Sequence, residues 1–243
     1  LGTKDYYLAS VKAAALKQIT DVQLVDISHH IPPFDMAKAA FVLKNVWKEF
    51  PEGTFHIVGV DSDWRQASPY VLILKEGQYF IGSDNGFFSL LFDGEPADEI
   101  YVLNMVGDED LGFPTKSIFI PIVAQICTGK DLSEIGTIKD DYVRRPGLNP
   151  VIEYNNIRGM AIYVDGYGNV ITNISKALFE DVVGNKDFHI VLRRGDSELN
   201  RISRAYNEVP EGEKLAIFTS GGYLEIAINR GVEGSGGGAS DLL

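Results

Sequence analysis

The stretch Asp140–Pro150 (DDYVRRPGLNP) constrains this chain most, because neither a helix nor a strand is expected to run through it. It is charged, and Pro146, Gly147 and Pro150 interrupt both hydrogen-bond ladders and helical backbone. Such a segment reads as an interdomain connector. A chain of 243 residues is long enough to place a core on each side of it. The expected division is an N-terminal domain over 1–143, a linker over 144–152 and a C-terminal domain over 153–243.

Before the connector, helix and strand signals alternate. Tyr7, Val11, Ala15 and Ile19 recur at helical spacing, with Leu8 beside them. Val22–Ile27 reads as a short buried strand. Asp35, after Pro32-Pro33, is placed to cap a helix whose apolar stripe is Met36, Ala39, Ala40, Leu43, Val46 and Trp47. Phe55–Val60 is the next strand, and Tyr70–Leu74 with Tyr79–Gly82 forms a hairpin across Glu76-Gly77. Ile100–Leu103 and a helix over Ile118–Cys127 follow. This rhythm predicts an α/β N-terminal domain with a mainly parallel sheet.

After the connector the pattern becomes strand and turn: Gly159–Val164, Val170–Ile174, His189–Arg193, Leu215–Thr219 and Tyr223–Ile228. A short helix over Ala177–Val182 follows the Ser175 cap. The tail is expected to form a smaller C-terminal β-barrel-like domain. Gly234–Gly238 reads as a flexible loop.

Composition excludes several functions. Acidic residues outnumber basic ones, 34 to 22, for a formal charge of −12, which repels phosphate backbones and argues against nucleic acid as a partner. No run approaches the roughly 18 apolar residues of a membrane span. One cysteine, Cys127, forms no internal disulfide, which fits the cytoplasm. Because the first residue is Leu1 rather than Met, the chain reads as trimmed at its start.

Local chemistry is sparse. Asp61-Ser62-Asp63 follows a strand, where open α/β sheets present ligand-binding groups, but by itself reads first as a solvated loop. His29-His30 lacks the companions of a zinc site, so no metal or cofactor is expected; His56 and His189 read as structural. Asp84-Asn85-Gly86 and Asp165-Gly166-Tyr167-Gly168-Asn169 are turn signatures. Gly221-Gly222 lacks the lysine and spacing of a phosphate loop. From the residues alone, a reaction does not emerge.

Taken together, however, the turns resemble one family. Val25–Asp35 (VDISHHIPPFD), Phe50–Val60 (FPEGTFHIVGV) with Asp61, Ser83–Gly86 (SDNG), Val164–Ile174 (VDGYGNVITNI) and Ser220–Asn229 (SGGYLEIAIN) occur in the order seen in the S-adenosylmethionine (SAM) hydroxide adenosyltransferases. These SAM hydrolases are related to the fluorinase and chlorinase. The resemblance implies a cytoplasmic homotrimer that holds SAM or adenosine between the N-terminal domain of one subunit and the C-terminal domain of the next. It places Phe34 against the ribose and adenosine, Tyr167 on adenine, and Asn169 and Asn229 at the polar edge of the base. Asp165 and Ser220 would hold the methionine ammonium and carboxylate.

The implied reaction is attack of water or hydroxide on ribose C5′ of SAM. Methionine leaves as a neutral thioether, so the chemistry asks for an oriented water in a dry site rather than an acid. The family uses an Asp, an Arg seven residues later and a His. Here Asp61 stands at the acid's position, Ser68 at that of the Arg and Pro114 at that of the His. Arg65 and Lys116 are the cations expected to support Asp61. The alternative is a SAM- or adenosine-binding protein without turnover. A halide-type transferase is the third reading, opposed by the negative charge of Asp61.

Overall fold

The structure is a computed structural model that describes residues 1–105, 110–147, 149–192, 198–231 and 238–239. Arg193, the last residue of the expected His189–Arg193 strand, and positions 234–237 of the glycine-rich stretch lie outside the described residues. Contacts divide the chain into two units, Leu1–Gly147 and Leu148–Leu243.

The N-terminal unit begins with α1 (Tyr7–Gln18), rich in the Ala, Leu, Lys and Gln that lose little on entering a helix. α2 (Met36–Lys44) starts at Asp35, whose carboxylate accepts from the Lys38 N–H at 2.9 Å. The sheet is built from β1 (Phe55–Ile57), β2 (Tyr70–Lys75), β3 (Gln78–Ser83), β4 (Glu99–Leu103) and β5 (Gly136–Ile138), in the order β1-β3-β2-β4-β5. α3 (Phe87–Leu91) follows β3. A π-helical turn over Thr115–Phe119 leads into α4 (Ile120–Cys127), and α5 (Leu132–Ile135) precedes β5.

Helices cover both faces of the sheet. Val71 and Ile73 pack with Ala40, Leu43 and Trp47 from the α2 side and with Phe88 and Leu91 of α3. Tyr70 and Leu72 pack with Ile118, Phe119 and Val123 on the opposite side. α1 adds Val11 and Ala15 against Ile120. Double coverage explains why β2 shows a continuous apolar run instead of alternation.

The expected mainly parallel sheet is corrected by the pairings. Within this sheet, among the described residues, only β1 and β3 run parallel; β2–β3, β2–β4 and β4–β5 are antiparallel. The cause is local. Glu76 (φ 50°) and Gly77 (φ 72°) make a two-residue turn with both central φ positive, which returns β3 directly beside β2. Val22–Ile27 is a second correction. It is not a strand, and Leu24, Val25 and Ile27 are exposed. β1 ends the sheet order, so no neighbour among the described residues pairs with its outer edge.

The C-terminal unit opens with a hairpin of β6 (Val151–Glu153) and β7 (Asn156–Arg158). β8 (Ala161–Val164) and β9 (Val170–Ser175) lead to α6 (Lys176–Val183), capped by Ser175 through the Leu178 N–H. β10 (Ile190–Val191) pairs with β11 (Glu198–Leu199). β12 (Ile202–Ser203), β13 (Lys214–Phe218) and β14 (Tyr223–Ile228) complete a five-stranded sheet ordered β12-β13-β14-β9-β8. Its core gathers Val170, Ala216, Leu224 and Ile226. No closed barrel is found among the described residues: closure requires β8 to pair with β12, and these strands form the two ends of the sheet order.

Candidate functional site

In the N-terminal unit, a cavity of about 960 Å³ runs between the Val22–Pro33 segment, α1 and β1. Phe34 and Asp61 both line it, as do Asp26, His29 and Thr115. Phe34 (φ 64°) and Asp61 (φ 46°) share a second property, a left-handed backbone. That region is disfavoured for any side chain and most for a bulky one, and such residues gather where surrounding structure enforces them. Phe34 is 69% exposed, so its ring face is open to a ligand.

Asp61 follows the Phe55–Val60 segment, and its side chain is only 13% exposed. Arg65 Nη2 lies 3.3 Å from its Oδ1, so the structure brings these two sequence-selected residues together. Lys116 does not join them. It is exposed on the π-helical turn and forms no ion pair with Asp61. Pro114, at the start of that turn, is buried and supplies neither an ionisable group nor an N–H. Next to it, Thr115 is buried with its Oγ1 against Gly59.

The cavity also holds a cluster that sequence reasoning missed. Asp26 Oδ1 is 2.9 Å from His29 Nε2, and Asp26 Oδ2 accepts from Lys12 Nζ at 2.5 Å. The hydrogen bond from His29, then that from Lys12, holds the Asp26 carboxyl below its ordinary value. The i, i+3 spacing of Asp26 and His29 was the available signal. His56 is a core residue. It is 2.6 Å from Gln78 Oε1 and stacks on Phe80, and burial lowers its pKa. Among the described residues, no group of three or more His, Cys, Asp or Glu is arranged to hold a metal.

In the C-terminal unit, Asp165 organises the β8–β9 turn. Its Oδ1 accepts from the N–H groups of Tyr167 (2.8 Å) and Asn169 (2.9 Å), and its Oδ2 accepts from Asn169 Nδ2 at 3.0 Å. Gly168, at φ 81°, closes the turn. Tyr167 is 71% exposed, so it is no core aromatic, and its ring is displayed at the turn. The strand register puts Asn229 at the same end of the sheet, with its amide donating to the Val209 carbonyl. Ser220 stands apart. Its turn precedes Tyr223, which pairs with Ser175 at the far end of β9. At about 3.3 Å per residue, the length of β9 separates it from Asp165 by roughly 15 Å.

Beside Asp165 lies a second feature absent from the sequence reading. Glu225 is buried in β14, and Tyr206 Oη donates to its Oε1 at 2.8 Å. Burial, reinforced by the charge of Asp165, raises the Glu225 pKa; burial and the Glu225 hydrogen bond raise that of Tyr206. An acid inside the apolar run of β14 was the signal that could have revealed it.

Two family descriptions match this chain in order. The SAM hydroxide adenosyltransferase N-terminal domain covers residues 1–136, and the C-terminal domain covers 159–243. The chain belongs to the SAM hydroxide adenosyltransferase family. It is similar to the (R)-S-adenosyl-L-methionine hydrolase of Thermus thermophilus, 27% identical over 95% of this chain and 89% of that protein. The enzyme of the same name from Salinispora arenicola is 24% identical over 100% and 90% of the two chains. Among solved structures, an uncharacterized conserved protein from Thermotoga maritima superposes with a TM-score of 0.84 at 28% identity, covering 96% of this chain and 91% of its own.

Proposed function

We propose that this chain hydrolyses SAM to adenosine and methionine. The observation that carries the reading is the match of both halves of the chain to the two domains of one family, whose similar members are named SAM hydrolases. In the proposed step, a water oxygen forms a bond to ribose C5′ while the C5′–S bond breaks. The bonding pair passes to the sulfonium, which leaves as the uncharged thioether of methionine. The water proton passes to Asp61 or onward to solvent.

Asp61 orients that water, and its negative charge favours the positive sulfonium. Arg65 holds the carboxylate through Oδ1. Phe34 meets the adenosine, Tyr167 stacks on the base, and Asn169 and Asn229 address its edge. Asp165 receives the methionine ammonium. Ser220 belongs to a separate contact, because its turn and Asp165 occupy opposite ends of the sheet. The functional form is a homotrimer working in the cytoplasm without a metal or added cofactor. Among the described residues, no helix is long and apolar enough to cross a membrane.

Incubation of the purified protein with SAM, followed by chromatography, tests the reading through equimolar release of adenosine and methionine. A second reading, ligand binding without turnover, draws on Ser68 and Pro114, which bring no charge to the water side. SAM binding without release above the uncatalysed rate would establish it. Light scattering at micromolar concentration tests the trimer, and a stable monomer would remove it.

A further inference from the structure

The loop that carries Asp61 is pinned by the hairpin beside it. Four of its backbone carbonyls are taken. The Asp61 carbonyl accepts from Asn85 Nδ2 at 2.9 Å, that of Ser62 from Tyr70 Oη at 2.9 Å, that of Ser68 from Ser83 Oγ at 3.1 Å, and that of Pro69 from the Asp84 N–H at 2.8 Å. Asn85 makes the contact at the left-handed residue itself. It is 5% exposed and uses both ends of its amide, since Oδ1 accepts from the Phe87 N–H at 3.1 Å.

The turn containing Asn85 is held in its own right by a strap over Lys139–Arg145. The fully buried Asp84 carboxylate pairs with Lys139 and accepts from the Val143 N–H at 2.7 Å. Arg145 Nε donates to the Asn85 carbonyl at 2.9 Å, and the Arg145 N–H donates to Ser89 Oγ at 3.0 Å. The Arg145 side chain lies so close to Gly86 that a Cβ there would meet it at 2.5 Å. These contacts form a continuous hydrogen-bonded path from Arg145 through Asn85 to Asp61.

We propose that Asn85 is a positioning residue for Asp61: its amide holds the left-handed backbone that aims the Asp61 carboxylate, and the Lys139–Arg145 strap holds Asn85. The amide supplies the donor for the Asp61 carbonyl and the acceptor for the Phe87 N–H on two separate atoms, which an ionised carboxylate of the same shape does not. The isosteric Asn85→Asp loses the donor and faces one oxygen with another. The catalytic part of this inference rests on the proposed hydrolase reading; the structural part does not.

Trp64 sits in the pinned loop and is 42% exposed, whereas the other tryptophan, Trp47, is buried. Acrylamide quenching of the protein, minus that of its Trp64→Phe counterpart, therefore reports the loop alone. Asn85→Asp is expected to raise Trp64 quenching about twofold. It is also expected to lower kcat for adenosine release by about 10- to 100-fold while KM for SAM changes little, as for a misaimed group. Arg145→Met, which keeps the stem over Gly86 but removes the donor, gives the same pattern more weakly and serves if Asn85→Asp does not fold. Unchanged Trp64 quenching in a folded variant overturns the proposal whatever the activity. Raised quenching with unchanged kcat also overturns it. If the parent protein releases no adenosine while quenching rises as expected, the hydrolase reading fails and the pinning of the Asp61 loop stands.

Discussion

At Asp61 a carboxylate, a left-handed backbone and an adjacent cation coincide on one residue, and chemistry assigned to it is testable by a single atom exchange. Asp61→Asn keeps shape and removes the charge that faces the sulfonium, so SAM affinity falls modestly while adenosine release falls about 10²–10⁴-fold. Equal turnover by both proteins would transfer the role elsewhere. Glu225 makes a different prediction. Its folded pKa is raised by burial and by Asp165, so its contribution to stability is fully present below the unfolded value of about 4.3 and is lost as pH rises through the folded value. Glu225→Gln is neutral throughout and still accepts from Tyr206. Its melting temperature is therefore expected to exceed that of the parent at pH 7–8, with the gap closing toward pH 4. A gap that widens on acidification would mean that Glu225 is ionised in the folded protein.

Among the elements, the Glu76-Gly77 turn has the most leverage, because it sets the direction of β3. Gly77 has φ 72°, and a Cβ there would come within 2.9 Å of the Glu52 side chain. Gly77→Ala is expected to destabilise the fold by about 1–2 kcal/mol. That is a drop of roughly 2–8 °C in melting temperature for a chain this long, measurable by calorimetry. This same turn was legible from Glu-Gly between two apolar runs, as was the cap at Asp35. Strand direction across the rest of the sheet was not. Helices cover both faces, so β2 carries the unbroken apolar pattern of a parallel strand while pairing antiparallel on both sides. Val22–Ile27 misled for a related reason: apolar composition marks a segment suited to a sheet, but pairing depends on a neighbour that composition does not supply. Phe34 and Asp61, at the N-terminal cavity, and Tyr167, on the β8–β9 turn of the other unit, were visible in the sequence as motif positions. The Asp26–His29–Lys12 cluster and the buried Glu225–Tyr206 pair were not, because each joins residues brought together only by folding, apart from the short Asp26–His29 step.

For the molecule as a whole, ligand binding and folding are linked. A ligand that binds only the folded state stabilises it by about 2.7 kcal/mol at a hundredfold excess over its dissociation constant. SAM and adenosine are both expected to raise the melting temperature in a titration, and no rise at millimolar concentration would count against the proposed site. The formal charge of −12 keeps molecules apart at long range, although salt screens that repulsion over about 10 Å at 0.1 M. At contact, the outer edge of β1 and the exposed Leu24, Val25 and Ile27 present backbone donors and acceptors next to apolar side chains. Such an edge is a template for a further strand from any chain that reaches it. The practical outcome is a colloidal one: rising ionic strength and protein concentration should drive precipitation through this edge, so dilute, low-salt buffers will hold the chain in solution longest.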